Sequence, residues 1–190
     1  MTSLVSFESL LLDPETPGVV SYNYDEDYEA MSDGAKRMLK EGNAGGCSIM
    51  SEAYSFNLIK QKLLINVELW ETETKIQYRN RKGKITDYTI NFEKRRFAVQ
   101  VTRAMYHPKD RSVPVKRLKK EIDKKLKGIK ESSQNASLRW EKQILHVWCQ
   151  DSTLSEVVED AFMNADAVLR GNTILLVSEV LDDYLREKIF

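Results

Sequence analysis

The sequence predicts an α/β fold in which a mixed sheet, an antiparallel meander plus two further strands, is flanked by helices. Residues 84–105 alternate apolar and polar side chains along two arms, which is the period-two pattern of half-buried strands. Residues 142–150 and 172–180 are instead continuously apolar at their centres, as strands buried on both faces are. Segments with helical spacing of apolar residues alternate with these strands, and this alternation is typical of an α/β domain.

The sequence predicts the least packed structure for the first part of the chain. Residues 1–45 are acidic and rich in tyrosine, and prolines interrupt a short leucine-rich stretch. We therefore expect two regions: a loosely ordered acidic segment over 1–45 and the folded α/β domain over 46–190. The clustered tyrosines offer the alternative, in which they attach the segment to the domain.

A helix and a first strand follow. Ser51 is a plausible helix N-cap, and apolar residues then recur at helical spacing as far as Trp70. Glu52 lies in the first turn, where the helix macrodipole favours a carboxylate whether or not it has a further role. Residues 72–78 are the predicted first strand.

The next two strands form a hairpin, and we place its turn at Lys94-Arg95. This register sets Asp87 opposite Thr102 and Thr89 opposite Gln100. A carboxylate, an amide and a hydroxyl then meet on the polar face of the hairpin. The turn lacks the Asn-Gly or Asp-Gly pair that fixes register, and a slip of one residue would scatter the cluster to both faces.

A basic helix is predicted over residues 115–130, followed by strand, helix, strand and a short terminal helix. Its apolar residues form a narrow stripe: Val115, Leu118, Ile122, Leu126 and Ile129. The other positions are dense in lysine, which is typical either of a solvated helix or of one that contacts a polyanion. We assign nucleic-acid binding to five of these lysines: Lys116, Lys119, Lys120, Lys124 and Lys127.

Charge is strongly segregated along a chain whose formal net charge is zero. Residues 1–33 contain eight acids and no lysine or arginine, whereas residues 94–130 contain fourteen basic residues and three acids. Such segregation indicates DNA or RNA as a partner, or an acidic segment that shields a basic surface. An ordinary solvated surface is the alternative.

Several classes of protein are excluded by simple counts. No apolar run approaches the roughly 20 residues that cross a bilayer. The N-terminus lacks the basic start of a secretory signal peptide. Cys47 and Cys149 are far apart and form neither a disulfide framework nor a zinc motif. We therefore expect an intracellular protein, in cytoplasm or nucleus, that is neither secreted nor membrane-bound.

The order of elements from Ser51, with an acid on the middle meander strand and a polar pair on the next, resembles the PD-(D/E)XK nuclease superfamily. The resemblance implies a three-layer restriction-endonuclease-like core. It also implies that Glu52 matches the helix acid, Asp87 the metal-binding aspartate and Gln100 the second acid. These three residues, Asp87, Glu52 and Gln100, would then be the ligands of a Mg²⁺ ion, which prefers oxygen donors.

One residue departs from the family pattern. Thr102 occupies the position at which most active members have a lysine, and a hydroxyl cannot supply that positive charge. Lys84 precedes Asp87 and could swing in as a substitute. The resemblance thus implies a nucleic-acid-binding protein whose metal-dependent phosphodiesterase activity is weakened or lost. The alternative is a non-enzymatic module that uses the same fold to bind a protein partner.

Overall fold

Six strands form one mixed sheet in the computed structural model, which describes residues 6–24, 31–43, 48–80, 82–108 and 111–190. The strands are β1 (Gly18–Tyr24), β2 (Glu68–Thr72), β3 (Tyr88–Phe92), β4 (Arg95–Ala104), β5 (Lys142–Cys149) and β6 (Ile174–Val180). Their order across the sheet is β1-β6-β5-β4-β3-β2. The pairs β2–β3 and β3–β4 are antiparallel, and the remaining pairs are parallel. The predicted meander with two further strands is confirmed, and β1 extends it.

Helices cover both faces of the sheet and give three layers. One face carries α1 (Phe7–Leu12), α2 (Asp33–Glu41), α3 (Ile49–Leu58), which continues as a π-helical turn over Ile59–Leu63, and α7 (Asp183–Ile189). The other face carries α4 (Val115–Asn135), α5 (Ser152–Met163) and the short α6 (Ala167–Arg170). A separate hydrophobic cluster fills the space on each side of the sheet. The predicted α/β fold with flanking helices is confirmed.

The described part of the N-terminal segment is packed against the sheet, unlike the loosely ordered segment that its composition predicts. Leu11 of α1 is fully buried, and β1 pairs in parallel with β6. Tyr24 is also buried, with its ring centroid 5.4 Å from that of Trp148. The acidic composition does not predict this packing, because a few apolar side chains are enough to hold the segment once the sheet provides a surface to pack against. The most acidic stretch, residues 25–30, lies outside the described residues.

The helix predicted from Ser51 toward Trp70 corresponds to α3, which ends earlier than the spacing of its apolar residues predicts. Ser48 rather than Ser51 precedes α3, and Trp70 lies on β2, not on a helix. The prediction of the first strand at residues 72–78 is wrong: only Thr72 belongs to β2, and the rest is turn and irregular chain with one isolated bridge from Tyr78 to Ala136. Pairing with β3 overrides the local helical pattern here, because strand preference depends on neighbouring strands.

The hairpin turn lies one residue before its predicted place. Glu93 and Lys94 have φ values of 51° and 61°, and Phe92 pairs with Arg95 across a two-residue loop. The predicted pairs Asp87–Thr102 and Thr89–Gln100 are therefore wrong. Thr89 pairs with Ala98, and Tyr88 with Val99, which brings Asp87 level with Gln100. Moving the turn by one residue changes the pairing register between the two strands by two residues. A change of two leaves every side chain on its predicted face.

The basic helix α4 is five residues longer than predicted and buries its stripe as expected. Leu118, Ile122, Leu126 and Ile129 are buried against the sheet, whereas Val115 is half exposed. Cys149 is a buried free thiol, and Cys47 lies outside the described residues. Within the described ranges no helix is both long enough and apolar enough to cross a membrane.

Candidate functional site

An open groove with a volume of about 590 Å³ lies between α4 and the C-terminal half of β4. The loop at residues 83–85 forms its third wall. Three of the side chains that line the groove are lysines: Lys84, Lys124 and Lys125. Glu121 is its acidic residue. Arg103 also borders the groove, but its guanidinium donates to the carbonyls of Ile189 and Phe190 at the end of the chain. The groove therefore presents an excess of positive charge.

Asp87 and Gln100 meet at the inner wall of the groove. The Gln100 amide nitrogen donates to both carboxylate oxygens of Asp87, each at 2.8 Å. The backbone N–H of Val101 donates to one of them at 2.5 Å. Gln100 itself lines the groove, and its amide joins the Asp87 carboxylate to that wall. The side chains of the acid and the amide thus share one face, as the alternation of the hairpin predicts.

The Asp87 carboxyl has an unusual protonation equilibrium. Burial among protein atoms raises its pKa to about 7, and the negative charge of Glu52 adds to the rise. The positive charge of Lys125 and the N–H of Val101 act in the opposite direction. Near neutral pH the group is therefore divided between its acid and its carboxylate form.

Glu52 is nearly inaccessible to solvent and is held by its own helix start. Its carboxylate accepts hydrogen bonds from Ser48 Oγ at 2.7 Å and from Asn43 Nδ2 at 3.1 Å. These bonds occupy one oxygen, and the carboxylate acts on Asp87 through its charge. Glu52 and Asp87 thus interact through charge but have separate hydrogen-bond partners.

The donor set offers a partial match to a hard divalent cation. Two carboxylates and one amide oxygen are ligands of the type that Mg²⁺ prefers. In the described structure, however, the Gln100 amide turns its nitrogen toward Asp87, so the oxygen must rotate inward before it can ligate. No group of three or more His, Cys, Asp or Glu residues in the described ranges is placed to hold a metal.

Thr102 and Lys84 both line the groove, without a hydrogen bond to Asp87. Thr102 lies two residues after Gln100 on the same face of β4. Lys84 is exposed, and its carbonyl accepts a hydrogen bond from Asn135 Nδ2 at 3.1 Å, which fixes this loop to the end of α4. Asn135 also joins the backbone of Asn80, so the loop is held at two points.

Lys125 is the functional candidate that sequence reasoning missed. Its ammonium donates to the carbonyl of Val101 at 3.3 Å, next to the Asp87–Gln100 pair, and its charge lowers the pKa of Asp87. The signal was present in the spacing. Lys125 lies three residues after Ile122 and four before Ile129, on the side of α4 that adjoins the buried stripe.

The five lysines assigned to nucleic acid are all exposed and lie on one side of α4, opposite its buried stripe. Lys124 lines the groove. The other four are distributed over the solvent side of α4, outside the groove lining: Lys116, Lys119, Lys120 and Lys127. With 3.6 residues per turn these five positions span an arc of about 140°, so they form one basic face that meets the groove at Lys124.

His146 belongs to a series of hydrogen-bonded polar side chains that is buried on the α3 side of the sheet, opposite the side that carries α4. Its ring nitrogens contact Ser55 Oγ at 2.6 Å and Ser178 Oγ at 3.0 Å, and Ser55 also contacts the Tyr88 hydroxyl at 2.7 Å. Burial lowers the pKa of His146 to about 3, so the ring stays neutral. This series ties α3 to three strands, and all four of its side chains are fully buried.

Comparison with known proteins finds no matching family model. A protein of Dictyostelium discoideum, the AAC-rich mRNA clone AAC4 protein, is 31% identical over 154 residues, which are 78% of this chain and 22% of that protein. The chain therefore spans about a fifth of the length of this relative. Among solved structures, SfsA of Pyrococcus furiosus in complex with Ca²⁺ matches 71% of this chain and 58% of its own at 12% identity and a TM-score of 0.32.

Proposed function

We propose that the protein binds nucleic acid through the groove between α4 and β4, on a PD-(D/E)XK-like core whose cleavage site is altered. The observation that carries the proposal is the convergence of Lys84, Lys124 and Lys125 on one groove beside the Asp87–Gln100 pair. Lysines spaced along a groove neutralise successive phosphates and release counterions.

Lys125 supplies the positive charge that a lysine at the position of Thr102 supplies in the nuclease superfamily. Thr102 lacks a charge, but the Lys125 ammonium reaches the adjacent strand from α4 and lies within electrostatic range of Asp87. A positive charge at this place stabilises negative charge that develops on a phosphate. A Mg²⁺ ion held by Asp87, Glu52 and the Gln100 oxygen would supply an activated water and neutralise the phosphate.

The binding proposal predicts a steep dependence on salt. For a labelled 20-nucleotide probe, affinity measured by fluorescence anisotropy should fall by about tenfold or more between 50 and 200 mM salt. We expect Lys124→Ala to lower affinity and to reduce the slope of log K against log[salt] by about one. Lys40→Ala, which removes an exposed lysine of α2 on the opposite face of the sheet, is the control and should have a smaller effect. Equal losses in both variants would remove the groove from the interface.

The probe type is an additional variable in the same experiment. Single-stranded and duplex forms of DNA and RNA, compared at one salt concentration, identify the preferred nucleic acid. Absence of binding to all four at 50 mM salt would contradict the proposal and favour the protein-partner alternative.

Cleavage is tested separately, because binding and catalysis require different residues. With Mg²⁺ or Mn²⁺ present, we expect slow cleavage by the wild type, loss of cleavage in Asp87→Ala, and an increase in Thr102→Lys, which restores the family lysine on β4. Gel separation of labelled products over time measures all three. Equal rates in wild type and Asp87→Ala would exclude a catalytic role for Asp87.

A further inference from the structure

A second cavity adjoins the groove where β4 ends and α4 begins. Its volume is about 320 Å³, within the range of small-molecule sites. Met105 lines both the groove and this cavity, so the two are continuous. Beyond Met105 the cavity is bordered by Tyr106, Arg111, Arg117 and Gln150, and we call it the β4 pocket.

The walls of the β4 pocket carry positive charge that no carboxylate on the same walls offsets. Arg111 and Arg117 contribute two guanidinium groups, and neither aspartate nor glutamate is among the described residues that line it. The groove, in contrast, contains Glu121 beside its lysines. An anion that moves from the groove into the β4 pocket therefore meets two arginines without an acid between them.

Arg117 lies at the boundary between the two cavities. Its Nη2 donates to the carbonyl of Met105 at 2.6 Å, and its Nε lies 3.7 Å from the carboxylate of Glu121. These contacts hold one edge of the planar guanidinium in place. The side chain is 40% exposed, and Nη1 makes no hydrogen bond to a described residue. The free edge is therefore available to a ligand.

Arg111 lies in the loop that follows β4. Its backbone N–H donates to the carbonyl of His107 at 2.9 Å, and the N–H of His107 donates to the carbonyl of Ser112 at 3.0 Å, which holds the loop closed. The side chain of Arg111 is exposed. A hydrogen bond to Asp151 raises the pKa of Tyr106 and the charge of Arg111 lowers it, so the guanidinium lies near the Tyr106 hydroxyl.

Negative charge lies directly beyond the β4 pocket. The Tyr106 hydroxyl donates to Asp151 Oδ2 at 2.5 Å, and Asp151 is the N-cap of α5. α5 contains three acids and no lysine or arginine: Glu156, Glu159 and Asp160. A nucleic-acid strand that continued past the pocket would meet these carboxylates. The positively charged path that begins in the groove therefore ends in the β4 pocket.

We propose that the β4 pocket binds the phosphate monoester at the end of a nucleic-acid strand whose next nucleotides lie in the groove. A terminal phosphate carries nearly two negative charges near neutral pH, whereas a phosphate within a strand carries one. Two guanidinium groups match this larger charge and the three free oxygens that bear it. The inference rests on the function proposed for the groove and adds a preference for one kind of strand end.

The test uses one oligonucleotide sequence, labelled at an internal position, in the form of nucleic acid that the wild type prefers. It is prepared with a 5′-phosphate, with a 3′-phosphate, or with hydroxyls at both ends. Fluorescence anisotropy at about 50 mM salt should show that one of the phosphorylated probes binds about tenfold more tightly than the hydroxyl probe. The comparison of the two phosphorylated probes identifies which end enters the pocket.

Variants locate the terminal phosphate. Arg111→Gln and Arg117→Gln should each remove most of the preference and change the affinity for the hydroxyl probe much less. Arg139→Gln is the matched control, because it removes an exposed arginine that precedes β5, at the end of that strand remote from the pocket. It should keep the preference. Lys124→Ala should weaken all three probes by the same factor. Circular dichroism verifies that each variant is folded.

The outcomes separate this inference from the proposal for the groove. Equal affinity of the wild type for all three probes would overturn the inference and leave binding in the groove intact. A preference that persists in both Arg111→Gln and Arg117→Gln would also overturn it, because the terminal phosphate would then lie elsewhere. Absence of binding to every probe would contradict the groove proposal itself, and the inference with it.

Discussion

Asp87→Asn is expected to stabilise the protein at pH 8 and to have little effect near pH 4. Burial raises the pKa of Asp87 to about 7 in the folded state, above its ordinary value of 3.8. Between these two values the folded state holds the proton that the unfolded state has released. The stabilisation that this proton provides is full at low pH and is lost as pH rises through 7. Asparagine cannot ionise, so the variant should gain up to about 4 kcal/mol at pH 8 relative to wild type.

Urea unfolding at a series of pH values from 4 to 8 measures this difference. Glu68→Gln is the matched control, since Glu68 is an exposed acid on β2. A stability difference between Asp87→Asn and wild type that is the same at every pH would contradict the assigned protonation of Asp87.

Lys142→Met is expected to lower the free energy of unfolding by about 3 kcal/mol. Lys142 is 1% exposed at the start of β5, and its ammonium donates to three backbone carbonyls, those of Leu10, Asp13 and Thr16, at 2.6, 2.5 and 2.7 Å. Methionine keeps most of the volume but leaves the carbonyls without this donor. Since these carbonyls belong to the end of α1 and the turn before β1, the N-terminal segment should detach more readily.

Two measurements separate this effect from a general loss of stability. Urea unfolding gives the free energy, and limited proteolysis should show faster cleavage within residues 13–17 at concentrations of urea that leave the sheet folded. Lys127→Met on the exposed side of α4 is the control and should change neither. An unaltered cleavage rate at residues 13–17 would show that Lys142 does not hold the segment.

Some parts of the site could be predicted from the sequence because they depend on a period of two. Asp87 and Gln100 were expected on one face of the hairpin. They remain there although the turn is Glu93-Lys94, since the register changes by two residues and not by one. The apolar stripe of α4 was predictable for the same kind of reason, because helical spacing alone places Leu118, Ile122 and Leu126 together.

Other parts depend on contacts between distant segments, which one sequence does not reveal. Trp70 continues a helical pattern, but pairing with β3 places it on β2. Lys125 reaches Val101 only because α4 crosses β4 at this point. The N-terminal segment is packed because Lys142 binds its backbone and because β1 pairs with the edge of β6. The acidic composition of the segment could indicate neither contact.

The pairing of β1 with β6 has a consequence for how the protein forms. Gly18 lies beside Ile174, so β1, the first of the six strands along the sequence, cannot pair until β6, the last of them, has been synthesised. Contacts so remote in sequence slow folding, because a long loop must close before they contribute. On the ribosome, the meander and α4 are complete while β1 still has no neighbour, and its unpaired backbone groups are available to chaperones or to other chains during that interval.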